Sequence, residues 1–63
     1  MRNKIKELRK ALKFRQEDLA SELGVTRQTI NAIENEKYNP TLELAMKLAK
    51  LLNTTVEDLF SLD

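Results

Sequence analysis

The chain's only glycine, Gly24, lies in the stretch LGVTRQTINAIEN, just after one leucine-bearing helical pattern and just before another. Glycine enters the left-handed conformation wanted just past a helix end without any Cβ penalty. Two residues on, Thr26 suits an N-cap whose hydroxyl satisfies an orphan amide of the next helix. A break this short fixes the angle between two helices. It also leaves the second of them with a row of long polar side chains facing away from the core.

Helical periodicity accounts for the rest of the chain. Ile5, Leu8 and Leu12 recur at helical spacing and predict a first helix over Asn3 to Lys13. Leu19, Ala20 and Leu23 continue the 3.6-residue period in a second helix from Gln16, which Gly24 ends. Ile30 and Ile33 form the buried face of a third helix. Asn39 before Pro40 stops that pattern, because the residue before proline avoids the helical region. Thr41 is expected to cap a fourth helix carrying Leu42, Ala45, Leu48, Ala49 and Leu52. Thr55 opens a short fifth, with Asp58 three residues later resembling a capping box and Leu59 and Phe60 on its apolar side. No alternating β pattern, repeat or low-complexity tract is apparent. The prediction is an all-α single domain of five short helices spanning residues 1–63.

The totals limit the chemistry. A chain of 63 residues buries only about 60% of the surface its unfolded form exposes, so the core must be thin. Cysteine is absent, which excludes disulfides, a thiol nucleophile and thiolate metal sites. Histidine is absent too, which removes the commonest general base and the commonest neutral metal ligand. The acidic residues have no calcium-loop spacing. Neither an enzyme nor a metal or other cofactor is expected, and no small-molecule ligand is evident. The start, MRNKIKELRK, is charged from its second residue and does not read as a secretory signal. No run approaches the roughly 18 apolar residues of a membrane span. A cytoplasmic location is the expectation.

Net charge is only +1, but it is unevenly spread. Residues 1–37 hold nine lysines and arginines against six acids, whereas residues 38–63 hold two against four. One end can therefore face a polyanion while the other stays clear of it, although a solvated surface of mild asymmetry fits the same counts.

The second and third helices, joined by about three residues, have the spacing of a helix-turn-helix. At about 100° per residue, Ile30 and Ile33 define the inner face of the third helix. Gln28, Asn31, Ala32 and Asn35 lie opposite, with Arg27 on the flank of the first turn. A glutamine amide can pair bidentately with adenine, and an arginine fork matches guanine. Both side chains sit near the N-terminal end, the part that meets base edges when such a helix enters a major groove. The pattern alone fits an ordinary solvated helix face equally well.

The stretch QEDLASELGVTRQTINAIEN, Gln16 to Asn35, closely resembles the helix-turn-helix of the Cro/C1-type (Xre-like) DNA-binding regulators of bacteria, archaea and phages. The likeness rests on Gln16, Leu19-Ala20, Leu23-Gly24-Val25, Ile30 and Ile33-Glu34-Asn35. The segment KYNPTLELAMKLAKLLNTTVEDLF resembles the rest of that domain, so essentially the whole chain is covered. The resemblance implies a compact five-helix, lambda-repressor-like fold. It makes Arg27, Gln28 and Asn31 the base readers, with Thr26 and Thr29 touching phosphate or a thymine methyl. Gln16, at the start of the second helix, is implied to bind a backbone phosphate with help from the helix dipole. Asn35, Lys37 and Tyr38 are implied to clamp the sugar-phosphate backbone, contacts that position more than they specify. For Tyr38, packing beneath the loop is the competing expectation.

Departures from the family pattern accompany the likeness. Lys13 and Arg15 stand where such proteins usually have the glycine ending the first helix and the Ser or Thr capping the second. The lost cap is expected to cost roughly 0.5–2 kcal/mol, with Arg15 gaining a phosphate contact in exchange. Glu36 stands where glycine is common, so Asn35 or Glu36 itself must accept the turn. Ala32 replaces a longer base-facing side chain and narrows the readout. The family pairs the positions of Arg9 and Glu34 in a largely buried salt bridge, which marks Arg9 as structural. A membrane-surface reading of the basic first helix is disfavoured, because its anchors Ile5, Leu8 and Leu12 are all expected in the core.

The resulting expectation is a sequence-specific regulator of double-stranded DNA, a repressor acting by occupying an operator. One such domain reads only a few base pairs, so a homodimer on a roughly palindromic site is expected. Leu51, Phe60 and Leu62, apolar beyond what a thin core obviously consumes, are the expected dimer interface. The alternative is a protein-interaction partner, such as the antitoxin of a toxin pair, with DNA binding secondary. RNA binding is disfavoured by the lack of stacking aromatics.

Overall fold

Four helices stop in the same way. In the computed structural model, which describes residues 1–62, left-handed backbone follows each of the first four helices: Lys13 (φ 64°), Gly24 (φ 69°), Glu36 (φ 62°) and Asn53 (φ 58°). At each stop the next residue's amide reaches back five residues: Phe14 to Arg9, Val25 to Ala20, Lys37 to Ala32 and Thr54 to Ala49, at 2.9–3.0 Å. This is the Schellman arrangement, which satisfies carbonyls that a helix end leaves orphaned. Only one of the four positions is glycine. Of the two residues the sequence offers for the third turn, Asn35 and Glu36, it is Glu36 that adopts the left-handed conformation.

These stops divide the chain into β1 (Arg2–Asn3), α1 (Ile5–Ala11), α2 (Gln16–Leu23), α3 (Arg27–Glu34), α4 (Leu42–Leu51), α5 (Val56–Leu59) and β2 (Phe60–Ser61). The caps read from the sequence are present. Thr26, Thr41 and Thr55 accept hydrogen bonds from the amides of Thr29, Leu44 and Asp58 at 3.1–3.2 Å. Arginine has no acceptor to offer as a cap. At the start of α2 the Asp18 carboxylate instead reaches back to the Arg15 amide at 2.8 Å, supplying half of a capping box. That backbone bond holds the Asp18 carboxyl below its ordinary value of 3.8, against a small loss of solvation and with help from the Arg15 charge.

The two short strands were not expected. Arg2 pairs with Ser61 and Asn3 with Phe60 in an antiparallel ladder that joins the two ends of the domain. The ladder takes Asn3 and delays α1 to Ile5. The Asn3 side chain accepts from the Ile5 amide at 3.1 Å and donates to the Ile33 carbonyl at 2.9 Å. Two-residue strands are too short for alternation to reveal them.

The core draws on every helix: Ile5, Leu19, Ala20, Ile30, Ile33, Ala45, Leu48, Ala49, Leu52 and Leu59 are buried. Phe60 joins them at 9% exposure. The expectation that Phe60 is surplus to the core is therefore corrected: it leaves the helix, enters β2 and turns inward. Leu12 and Leu42, expected inside, are 41% and 71% exposed. Each lies at a helix end, where the chain turns away from the core. Leu62 is 94% exposed, and Leu51 is half-buried against the core.

One ion pair crosses this core. Arg9 of α1 donates from Nε to Glu34 Oε2 at 2.7 Å and from Nη2 to Oε1 at 3.2 Å, and its Nη1 reaches the Phe14 carbonyl at 3.1 Å. The two side chains are only 10% and 3% exposed. The pairing implied by the family resemblance is thus formed and buried. Removing either partner strands a charge where water cannot reach it, which typically costs about 3–5 kcal/mol. Arg9→Met and Glu34→Leu should each lower stability on that scale in urea unfolding. The double variant should be far milder than their sum, and additive small losses would contradict the burial.

The left-handed residues yield a second expectation. Lys13→Gly removes a side chain from backbone it disfavours, against the extra freedom that glycine gives the unfolded chain. Net stabilisation of about 0.5–1 kcal/mol is expected, read as a rise in the urea midpoint with an unchanged slope.

Candidate nucleic-acid interface

α3 is held from one side only. Ile30 and Ile33 are buried, and Glu34 next to them is fixed by Arg9, so the helix cannot roll. Its N-terminus is stitched by Thr26, whose hydroxyl accepts from the Thr29 amide and lies 3.0 Å from the Thr29 hydroxyl. Thr26 is exposed and Thr29 half-buried. The turn from α2 consists of Gly24, Val25 and Thr26, the three-residue break read from the sequence.

With its inner face committed, α3 presents Arg27, Gln28 and Asn31 to solvent together. Neither Arg27 nor Gln28 has a side-chain partner within the described residues, so all their hydrogen-bonding groups are available to a ligand. Ala32, half-buried, leaves the gap anticipated between Gln28 and Asn35.

Gln16 differs from its expected role. Its Nε2 donates to Asn31 Oδ1 at 3.2 Å and to Glu34 Oε1 at 3.1 Å. Both amide hydrogens are thereby engaged within the domain, one by the buried Glu34 carboxylate and one by the exposed Asn31 side chain. This polar link from the buried ion pair to the exposed face of α3 is absent from the expectations drawn from the sequence. No local signal carries it, because its partners are 15 and 18 residues away. Asn35 is also turned back, its Nδ2 donating to Asn31 at the main-chain oxygen (3.0 Å) and at Oδ1 (3.2 Å).

The other expected backbone contacts surround α3. Arg15 is exposed at the start of α2, with loose ion pairs to Asp18 (3.6 Å) and Glu17 (3.9 Å). Lys37 is exposed immediately past the α3 stop, its main chain fixed by the bond to Ala32. Tyr38 is 46% exposed and does not pack beneath the loop. It lines a shallow hollow with Thr29, Thr41 and Lys47, beside α3. Among the described residues, no three acidic, histidine or cysteine side chains gather to hold a metal, and no helix is long and apolar enough to cross a membrane.

Two helices at a fixed angle, a capped three-residue turn and an outward polar row on the second helix define a helix-turn-helix protein of the Cro/C1 type. The chain belongs to that family: its helix-turn-helix model, HTH_3, matches residues 5–59. It is 53% identical over 60 residues to an uncharacterized HTH-type transcriptional regulator of Methanocaldococcus jannaschii, covering 95% of this chain and 91% of that one. The HTH-type transcriptional regulator YgzD of Bacillus subtilis is 48% identical over 63 residues, covering 100% and 96% respectively. Among solved structures, the restriction-modification controller protein C.AhdI from Aeromonas hydrophila superposes with a TM-score of 0.79 at 34% identity, over 89% of this chain and 85% of that one.

The freedom of the Gln28 amide gives a direct expectation. Gln28→Ala should relax preference at one base pair and cost about 1–3 kcal/mol on the selected site, with random duplex bound almost as before. Equal losses on both duplexes, measured by fluorescence anisotropy, would remove Gln28 from base reading.

Proposed function

We propose that this protein is a DNA-binding transcriptional regulator, a repressor that occupies a roughly palindromic operator as a homodimer with α3 in the major groove. The observation carrying this reading is the one-sided fixing of α3: Ile30, Ile33 and Glu34 hold it while Arg27, Gln28 and Asn31 project together. Its membership of the helix-turn-helix family and its whole-chain likeness to HTH-type transcriptional regulators support the same conclusion.

Arg27 and Gln28 read base edges directly, and Asn31 joins them. Arg15 and Lys37 meet phosphates on either side of the groove, with Thr26, Thr29 and Tyr38 along the sugar-phosphate backbone, while the Asn35 amide donors stay committed to Asn31. At the start of α2 the phosphate contact falls to the main-chain amides of the first turn rather than to the Gln16 side chain, whose donors are taken. The chemistry is binding without catalysis, suited to a cytoplasmic regulator acting on the nucleoid.

Dimerisation follows from the specificity required. Three readers on one helix cannot single out a site among a genome's competing sequences. A two-fold axis doubles the contacts and places recognition helices about 34 Å apart. With α3 in the groove, the C-terminal half meets its mate. Phe60 is committed to the core, so the contact uses Leu51 and Leu62 together with Leu42 and Met46, which lie one turn apart and exposed on α4.

Selection of bound sequences from random duplex DNA should return a site with two inverted half-sites. In sedimentation, the wild type should be dimeric at micromolar concentration. Met46→Asp should shift it to monomer and weaken binding to the two-half-site duplex far more than to a single half-site. Monomeric wild type that binds the palindrome without cooperativity would overturn the dimer. Failure to select any duplex, alongside a salt-resistant complex with another protein, would overturn DNA regulation as the primary role.

A further inference from the structure

The hydrogen bonds that link the buried ion pair to the surface have a fixed direction. Arg9 carries donors only, and Glu34, held by two of them, accepts only. The Gln16 atom 3.1 Å from Glu34 Oε1 must therefore be the NH₂ group. That same nitrogen lies 3.2 Å from the Asn31 side chain, so the Asn31 atom facing it must be the oxygen. Asn35 gives an independent check. Its amide nitrogen lies 3.0 Å from the Asn31 main-chain oxygen, which fixes it as a donor, and 3.2 Å from the same Asn31 side-chain atom. The orientation of a surface amide is ordinarily open to either choice; here two neighbours fix it in the same sense.

Asn31 Oδ1 thus receives two hydrogen bonds, one for each lone pair, while Nδ2 has no partner in the described residues. The usual asparagine–adenine pairing needs both ends of the amide: the oxygen accepts from N6 and the nitrogen donates to N7. With its oxygen saturated, Asn31 has only the donating half. In the major groove, guanine presents two acceptors side by side, O6 and N7, and no donor.

We infer that Gln16 and Asn35 preset Asn31 as a donor-only reader that favours guanine, with its two acceptors, over adenine, whose N7 accepts but whose N6 amino group then meets no acceptor. This rests on the proposed role of α3 as a base-reading helix. Gln16 is then a positioning residue: it touches no base, yet it decides which base Asn31 accepts. The Arg9–Glu34 pair lies at the origin of the polarity, so a structural ion pair contributes to sequence preference.

The test is selection from a random duplex library with wild type, Asn31→Ala and the double variant Gln16→Met/Asn35→Ala, each first checked for an intact urea transition. Wild type should show one position per half-site with guanine over adenine by roughly 2- to 10-fold. Asn31→Ala should flatten that position and leave the others unchanged. The double variant frees Asn31 Oδ1 and should move the preference there from guanine to adenine. Without DNA, the Gln16 side-chain NH₂ should exchange with solvent more slowly than that of Asn31 in NMR, and Gln16→Met should leave the Asn31 NH₂ unaffected.

Adenine at the Asn31-dependent position in wild type, or guanine retained in the double variant, would overturn the inference. Rapid exchange of the Gln16 NH₂ would remove its structural basis. If Asn31→Ala changes no position while a site is still selected, the inference falls and DNA regulation stands. If wild type selects no site, the underlying reading of α3 has failed instead.

Discussion

Burying a guanidinium against a carboxylate is an expensive way to join two helices, because both groups surrender water that their mutual attraction only partly replaces. In this domain Arg9 and Glu34 accept that cost with two bonds between them, and Arg9 makes a third to the Phe14 carbonyl. The last bond ties the pair to the turn between α1 and α2. A single interaction therefore fixes α1 against α3 and the α1–α2 turn against both. Burial of Ile30 and Ile33 already sets which face of α3 points inward, and the ion pair adds a directional bond to that packing. Rotation of one residue on a helix is about 100°, enough to exchange the readers for the core face. The ion pair and the two isoleucines together set the orientation of α3, on which the proposed readers depend.

The helix stops set a second constraint. Four helices packed into so short a chain require turns that reverse direction within a few residues, and the Schellman turn does so only by passing through left-handed backbone. Asn53 tolerates that region better than most residues, and Gly24 enters it freely. Lys13 and Glu36 do not, yet they occupy two of the four stops. At the first, a basic side chain is retained where glycine would be more stable. That is consistent with the concentration of positive charge in residues 1–37, and it trades local strain for surface electrostatics. At the second, the acidic Glu36 next to Lys37 gains nothing of the kind, and no contact in the structure explains it.

Much of the fold was legible in the sequence because its signals are local. Thr26, Thr41 and Thr55 act within three residues of themselves, and Gly24 acts on its own backbone. Ile30 and Ile33 reveal a face by spacing alone. The misreadings involve residues whose fate is decided at a distance. Phe60 looks surplus until the chain's two ends pair and β2 turns it inward. Leu12 and Leu42 sit at helix ends, where periodicity still counts them as core although the packing has already turned away. Arg27, Gln28 and Asn31 were identified as outward-facing from the wheel. The inward commitment of Gln16 was not, since nothing near Gln16 announces Glu34 or Asn31 as its partners.

The same long-range bonds change what the exposed face can recognise. A row of amides read from sequence counts each side chain as both donor and acceptor, so Gln28 and Asn31 look interchangeable. In the folded chain they differ. Gln28 keeps both ends of its amide, whereas Asn31 has lent its oxygen to Gln16 and Asn35. Ala32 contributes no polar group at all. The face is therefore narrower in vocabulary than its composition suggests, with Arg27 and Asn31 offering donors and Gln28 alone offering a donor with an acceptor. A narrow vocabulary limits what one domain can distinguish, and it does so by physical commitment rather than by accident of composition. On the proposed symmetric site two copies would recover specificity through repetition, which ties the exposed apolar residues of the C-terminal half to the polar economy of α3.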